Sequence, residues 1–596
     1  MVWCGWSISV QAINWRQMSQ NRFSVEMDYS LDLLALLVTP LAFPLFDYEA
    51  KNGKLTASPT ALLESLRRYA DKLTLFWQAG KIHRPTKARQ LFGYLEQCVV
   101  EVAAPRGGVF HPKLWVLRFE PIGRKPDNEW PIEYRVLCPS RILTLDRSWD
   151  TMLAIEGTYW PQEPRSDANS PLAQMISRLP DLAVRQPTTE TASQHTRLLA
   201  KELPRVAFEP PEDAHSIRFL PLGLDSSGGW PFDRPIDRLL VISPFVSDGM
   251  IRRVSQGAEA VVVSRTEELA RLQPETLKRL KAAHTLDPAA ESDALEVTDH
   301  EEPVELSDGA DEGSQGNEES PRNAGNGSLS GLHAKVYIAD RNGEGHVWTG
   351  SANATDAAFE KNVEILVELV GRKEQYGLEA VLDSQNTQGL RSLLQPFVRP
   401  QENEVDEVAE RLERLLDAAQ MAIASHELRI HVGSDNVQSD ELFNLRVRAA
   451  NPLPAQWLSA GDVSCRPITL RETWQQKFVD SSTATFQQLH FDRLTPFILF
   501  CVRVSIEERS QERQFVVNLP IEGLPEDRRK REALQAVQRW RVDRPHGRTG
   551  YIGLWFRSHR RASDRLRRCA AAAVSPRATR VPDVGSGTSE RSTSHA

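Results

Sequence analysis

Gly331–Glu364 reads GLHAKVYIADRNGEGHVWTGSANATDAAFEKNVE, and the rest of the chain is organised around it. It holds His-x-Lys, an Asp five residues after the Lys, then Gly-Ser-x-Asn and Asn-x-Glu. LHAKVYIAD is predicted as a strand, and side chains alternate along a strand, so His333 and Lys335 are expected on one side, an imidazole beside an ammonium. HVWTG is predicted as a second strand that ends at Gly350 and Ser351, in a turn whose small residues let backbone N–H groups approach an anion. Asn353 adds an amide donor. Glu364 opens the apolar run VEILVELV, where a carboxylate can accept the second ring N–H of a histidine and fix its tautomer. Together these groups describe a phosphate site.

The stretch resembles the HKD motif of the phospholipase D superfamily, HxKxxxxD followed by GSxN and NxE, through His333, Lys335, Asp340, Gly350, Ser351, Asn353 and Glu364. A weaker copy lies upstream. In GGVFHPKLWVLRFE, His111 and Lys113 stand two apart at the start of an apolar strand, and YRVLCPSRILTLDRSWD follows as strand, turn and short helix. Ser140 matches the motif serine, and Asp150 stands where Glu364 stands in the other copy. Ile142 occupies the motif Asn position, with Arg141 beside it as a candidate substitute donor, and no Asp follows Lys113 at the usual spacing.

The resemblance implies an α/β fold of two pseudo-twofold-related α/β/α sandwich halves that share one phosphodiester. One histidine would attack phosphorus, with His111 the family's choice, and the other, His333, would serve as acid and base. Lys113, Lys335, Asn353 and the Ser351 region would hold the non-bridging oxygens, with no metal and no cofactor. Catalytic candidates are therefore His111, Lys113, Asp150, His333, Lys335, Asn353 and Glu364, and substrate-binding candidates are Ser140, Arg141, Gly350 and Ser351.

A chain of 596 residues suggests several domains. Residues 1–27 show no periodicity and read as an extension, or as upstream of a start at Met27. Residues 28–200 form the first half and 201–400 the second. LLVISPF and AEAVVVS are expected as buried strands, and ELARLQPETLKRLKAA as a helix. TALLESLRRYADKL, with Leu62, Leu63, Leu66 and Tyr69 at helical spacing, is another predicted helix. VDEVAERLERLLDAAQMAIAS, over 401–425, is a linking helix with Val405, Val408, Leu412, Leu415 and Ala419 on the face that packs on the α/β body. Residues 426–525 carry strands without long helices between them and read as an antiparallel β accessory domain.

Charge is segregated. Leu286–Pro321 holds thirteen acids and no Lys or Arg, whereas Gln538–Ala596 holds thirteen Arg against four acids, within a net charge of −8. The first belongs to an acidic insertion, 286–330, expected to be disordered. The Arg-rich tail, 526–596, is expected to be unstructured or a basic arm for phosphates. Either segment is a candidate contact for a protein partner. The remaining body is nearly neutral, so any nucleic-acid binding must be local to a cleft.

Six scattered cysteines without a CxxC pair read as reduced cytosolic thiols. No stretch approaches the roughly 20 apolar residues that span a bilayer, and no basic amphipathic helix stands out. These features favour a cytoplasmic nuclease or phosphodiesterase with nucleic acid as substrate. A phospholipid phosphodiesterase, or a weakly catalytic nucleic-acid-binding scaffold, stands as the alternative. The plan also resembles bacterial members of the superfamily, some associated with helicases or phage defence.

Overall fold

Residues 19–28, SQNRFSVEMD, carry no apolar run, yet they form an inner strand of the first sheet. Phe23, Val25 and Met27 alternate with Ser24, Glu26 and Asp28, and all six are buried because both faces of this strand are covered. The computed structural model describes residues 2–3, 19–33, 36, 70–85, 90–121, 131–140, 148–185, 188–224, 230–232, 234–287, 331–383, 389–400, 406–434, 442–451, 461–478 and 483–525. Within them the fold is mixed α/β, rich in strands gathered into several sheets.

The first sheet and its surroundings contain β1 (Val2–Trp3), β2 (Ser19–Asp28), β3 (Leu73–Gln78), β4 (Val99–Val102), β5 (Leu114–Pro121), β6 (Ile132–Pro139), β7 (Ser148–Trp149), β8 (Thr151–Tyr159) and β9 (Val206–Phe208). The order is β1-β8-β6-β5-β2-β3-β4, with β9 also on β8. The second sheet and its surroundings contain β10 (Ala214–Leu222), β11 (Arg238–Ile242), β12 (Glu259–Val263), β13 (Ala282–Leu286), β14 (Gly331–Leu332), which pairs with β7, β15 (Val336–Arg341), β16 (Glu344–Gly350), β17 (Glu364–Arg372) and β18 (Leu394–Pro396). Its order is β10-β17-β16-β15-β11-β12-β13-β18. The runs β8-β6-β5-β2-β3-β4 and β17-β16-β15-β11-β12-β13 match in order and in sense of pairing: three antiparallel ladders, then two parallel ones.

One apolar cluster draws on both sheets, including Phe76, Val116 and Val136 from the first and Ile242, Val336 and Ile365 from the second. The other face of the second sheet is also covered, around Val241, Tyr337 and Trp348. Burial on both faces is why these strands read as continuous Val/Ile/Leu runs.

Several sequence expectations change. The residues read as an N-terminal extension supply β1 and β2, so 19–27 belong to the first sheet. ELARLQPETLKRLKAA is two short helices, α1 (Thr266–Arg271) and α2 (Pro274–Arg279). Leu272 is extended between them, Pro274 starts the second, and Ala282 already opens β13. The helix α3 (Glu407–Ala424) buries Leu412 and Ala419 of the predicted face together with Leu416 and Ile423, and Val408 and Leu415 pack partly buried against the same core.

These α3 residues share a core with β19 (Leu428–Ser434), β20 (Phe443–Ala449), β21 (Gly461–Pro467), β23 (Thr483–Leu489), β24 (Phe497–Ile506) and β25 (Arg509–Asn518), between which β22 (Gln476–Lys477) also lies. With β26 (Ile521–Glu522), these strands form two four-stranded sheets, β23-β20-β19-β26 and β22-β21-β24-β25, antiparallel except for β19 with β26. The helix touches the first sheet too: a Cβ on Gly80 would stand 2.7 Å from Ala424 Cβ, and the left-handed φ of +76° there suits glycine.

Residues 60–69 of the helix predicted over TALLESLRRYADKL, Val405, the acidic insertion from 288 and the tail from 526 lie outside the described residues, as do Cys4 and Cys569, while Leu73 at the end of that stretch already opens β3. Cys98, Cys138, Cys465 and Cys501 are buried and form no disulfide among the described residues. No helix among the described residues is long and apolar enough to cross a membrane.

Candidate functional site

Strand pairing brings the histidine segments to one end of each sheet. Met27 pairs with Leu114 and Ile242 with Val336, so Asp28 and Lys113 follow one register and Ser243 and Lys335 the equivalent one. Neither His-x-Lys lies within a strand. His333 and Ala334 both donate backbone N–H bonds to Trp149 O, at 3.0 and 2.9 Å, which draws 331–334 off the second sheet onto β7. The strand predicted over LHAKVYIAD therefore starts at Val336. In the other copy His111 N donates to Val363 O at 2.9 Å, and Val363 N to Val109 O at 2.9 Å. Each histidine segment is thus stitched to the chain just before the other copy's carboxylate.

The side chains cross in the same way. His111 Nδ1 lies 2.9 and 3.1 Å from the two carboxylate oxygens of Glu364. His333 Nδ1 lies 3.3 Å from Asp150 Oδ1. Asn362 Nδ2 supports Glu364 at 3.3 Å, and Ser140 Oγ supports Asp150 at 3.0 Å. A carboxylate on Nδ1 fixes the tautomer and leaves Nε2 for chemistry. Both imidazoles are 16% accessible, enough for a substrate to reach one edge of each ring.

The two lysines differ. Lys113 Nζ donates to Asp28 Oδ1 at 2.5 Å, and both are buried. At the equivalent position Lys335 stands across from Ser243 in register and forms no ion pair with a carboxylate among the described residues. Its Nζ bonds His333 O at 2.8 Å and stands 3.1 Å from His333 Nδ1. Burial, and after it the Lys113 charge, holds the Lys335 ammonium well below the usual lysine range, while Asp150 and Glu364 oppose the shift. Burial and the Lys335 charge push His333 down to about 3, so it is neutral near pH 7; Asp150 opposes the shift and Lys113 adds to it. These mutual influences link Lys113, Lys335, His333, Asp150 and Glu364 as one electrostatic cluster. His111 joins it through Glu364.

Two residues of this region were not legible as site residues. Arg265 follows β12, donates through Nε to Leu332 O at 3.1 Å, and adds its charge to the field on Lys335. Its buried NH2 has no partner among the described residues. The sequence signal was weak, one Arg after VVVS at a strand mouth. Asp28 is the second, hidden because its strand lacks an apolar run. Beside it, Glu26 is fully buried with neither carboxyl oxygen partnered among the described residues.

Burial, and after it Asp28, raises Glu26 well above the usual carboxylate range, with Lys113 opposing. The folded state therefore keeps a proton that the unfolded chain sheds above its ordinary pKa, and stability is lost as pH rises toward the raised folded value. Glu26→Gln is expected to remove this loss, so that in urea unfolding its stability relative to wild type rises as pH increases above the ordinary carboxylate range.

The remaining candidates serve the frame. Ser351 Oγ accepts from Ile365 N at 3.0 Å and Ser140 Oγ from Thr151 N at 2.8 Å, equivalent bonds that lock the strands carrying Glu364 and Asp150. Both serines are fully buried, so their hydroxyls are spent on the strands and not held out to a ligand. A Cβ at Gly350 would stand 2.2 Å from Ile365 O, so that glycine permits the close approach of β16 and β17 rather than of an anion. Asn353 Oδ1 is buried without a partner among the described residues. Asp340, the motif aspartate, accepts from Arg238 and Leu378 N and lies away from the histidines, at the far end of β15. Arg141 and Ile142 lie outside the described residues.

No protein-family model matches the sequence, and no curated protein matches it. Among solved structures, the chain is similar to polyphosphate kinase from Porphyromonas gingivalis at 11% identity and a TM-score of 0.30, over 69% of this chain and 50% of that one. It is also similar to phosphatidylserine synthase from Haemophilus influenzae Rd KW20, at 12% identity and a TM-score of 0.32, over 70% of this chain and 90% of that one. The chain spans half the length of the kinase. Neither likeness is close enough to transfer an activity.

Proposed function

We propose that the chain is a metal-independent phosphodiesterase of the phospholipase D type, acting on nucleic acid through a phosphohistidine, with its two sheets forming pseudo-twofold halves. The observation that carries this reading is the reciprocal crossing, His111 on Glu364 and His333 on Asp150. Each half positions the other's imidazole, which serves two histidines working on one atom.

His111, with Nδ1 against both oxygens of Glu364, presents Nε2 for attack. The P–N bond forms as the bond to the leaving oxygen breaks, and that oxygen takes a proton from His333. A water then gives its proton to His333, attacks phosphorus, and breaks the P–N bond, restoring both rings. Splitting the displacement replaces one hard step by two easier ones. His333 is neutral in the empty site, so its acid role needs a bound phosphate whose negative charge offsets burial and the Lys335 and Lys113 charges.

Lys335, Arg265 and Asn353 supply donors for the non-bridging oxygens, where charge grows in the transition state. Lys113, paired with Asp28, contributes mainly field. Arg265→Ala is expected to lower kcat by about a hundredfold, and Arg265→Lys by less, read in steady-state kinetics on a labelled strand.

Nucleic acid is favoured over lipid because the sequence offers no basic amphipathic helix for a membrane surface. The test is cleavage of labelled DNA and RNA in EDTA. Turnover that survives chelation and is lost in His333→Asn supports the proposal. Tight binding without turnover would favour the scaffold alternative, and hydrolysis confined to phospholipid vesicles would overturn the substrate.

A further inference from the structure

A cleft of about 470 Å³ lies away from the histidines, where Arg84, after β3, meets the turn that follows β21. Arg84, Arg466 and Arg471 line it, against one lining carboxylate, Glu472. Arg84 already holds that carboxylate at 2.7 Å and Gln514 Oε1 at 2.6 Å, so three guanidinium groups share one lining carboxylate.

Arg466 is 5% exposed. Its NH1 donates to Leu470 O, and its Nε is buried with no partner among the described residues. A guanidinium does not escape burial by losing its proton. Burial, and after it the Arg84 charge, works against the Arg466 charge, and Glu472, the carboxylate Arg84 already holds, opposes them. Arg471 is exposed, and its side chain makes no hydrogen bond or ion pair among the described residues.

We propose that this cleft is a second binding site, separate from the catalytic centre, for the phosphate of a nucleotide. Two guanidinium forks match phosphate oxygens in pairs. Ile468, Leu470 and Leu499 give the cleft an apolar wall, and its volume suits a nucleotide unit better than a bare ion. Trp474, 41% exposed and one residue beyond the lining Thr473, offers a ring for a base to stack on. The nucleotide is either free or part of a strand, and both share this chemistry. The inference rests on these residues and not on the phosphodiesterase reading.

The test is calorimetric titration of the full chain carrying His111→Asn and His333→Asn, so that turnover plays no part. The probes are adenosine monophosphate, adenosine and a short 5′-phosphorylated single strand. The monophosphate, the strand or both are expected to bind, and Arg471→Glu, at an exposed position, is expected to weaken that binding by about tenfold or more. Binding of the strand alone assigns the site to nucleic acid, and binding of the monophosphate assigns it to free nucleotide. Trp474→Ala should weaken the same complex. Absence of binding by either phosphate probe, equal affinity for adenosine, or affinity unchanged by Arg471→Glu would overturn the proposal.

Discussion

Replacing His111 with asparagine is expected to lower kcat for phosphodiester cleavage by about a thousandfold or more. In the proposed mechanism the imidazole supplies the attacking nitrogen, and asparagine offers no nucleophilic nitrogen in its place. Its amide still reaches toward Glu364, whose carboxylate is fully buried and would otherwise keep only Asn362 Nδ2 at 3.3 Å. That choice of variant limits the stability cost, since a buried carboxylate left without a donor is itself expensive. Glu364→Gln tests orientation separately. It replaces a carboxylate that only accepts with an amide that can also donate, so the His111 tautomer is no longer fixed, and a loss of about a hundredfold in kcat with little change in KM is expected. Stopped-flow kinetics beside a thermal melt of each variant separates lost chemistry from lost fold. Full activity in His111→Asn would refute the shared site.

Asp28→Asn is expected to cost about 3–5 kcal/mol of stability, because it leaves the Lys113 ammonium buried without its counter-charge. The 2.5 Å contact joins two side chains almost closed to solvent, at 1% and 5% exposure, so water cannot replace the missing partner. Glu26 recovers part of the loss by giving up its proton beside Lys113. Lys113→Met alone should cost a comparable amount, by stranding Asp28 instead. The double variant, Asp28→Asn with Lys113→Met, should regain most of it, since no uncompensated charge remains. Urea unfolding of the four proteins gives the coupling directly. Additive losses would mean that the pair does not hold these two strands together.

The second histidine segment was legible because a strand buried on both faces must be apolar, and the polar residues interrupting VYIAD and HVWTG then stand out. The first was legible only through its spacing. Which carboxylate serves which histidine was not, since Glu364 lies on the far side of the cluster from its own His333 in hydrogen-bonding terms, and the crossing is a property of packing. Asp28 was lost for the opposite reason to His333. Its strand alternates Phe23, Val25 and Met27 with polar residues, a pattern too short and too polar to announce an inner strand. Ser140, Ser351 and Gly350 carry the motif's identities, but their environment spends them on strand locking. Conformation, and not residue type, decides whether a hydroxyl meets a ligand. Pro274 shows the local limit, splitting one helical pattern into two and releasing its end to β13.

The most direct test of two imidazoles serving one phosphorus is to trap the covalent state. The wild type and each asparagine variant would be quenched during turnover of a radiolabelled phosphodiester with a good leaving group, then mapped by peptide. The account predicts acid-labile label on His111 in the wild type, more of it in His333→Asn, where the base for hydrolysis is missing, and none in His111→Asn. Label on any residue other than His111, or turnover with no trapped phosphate at all, would contradict it.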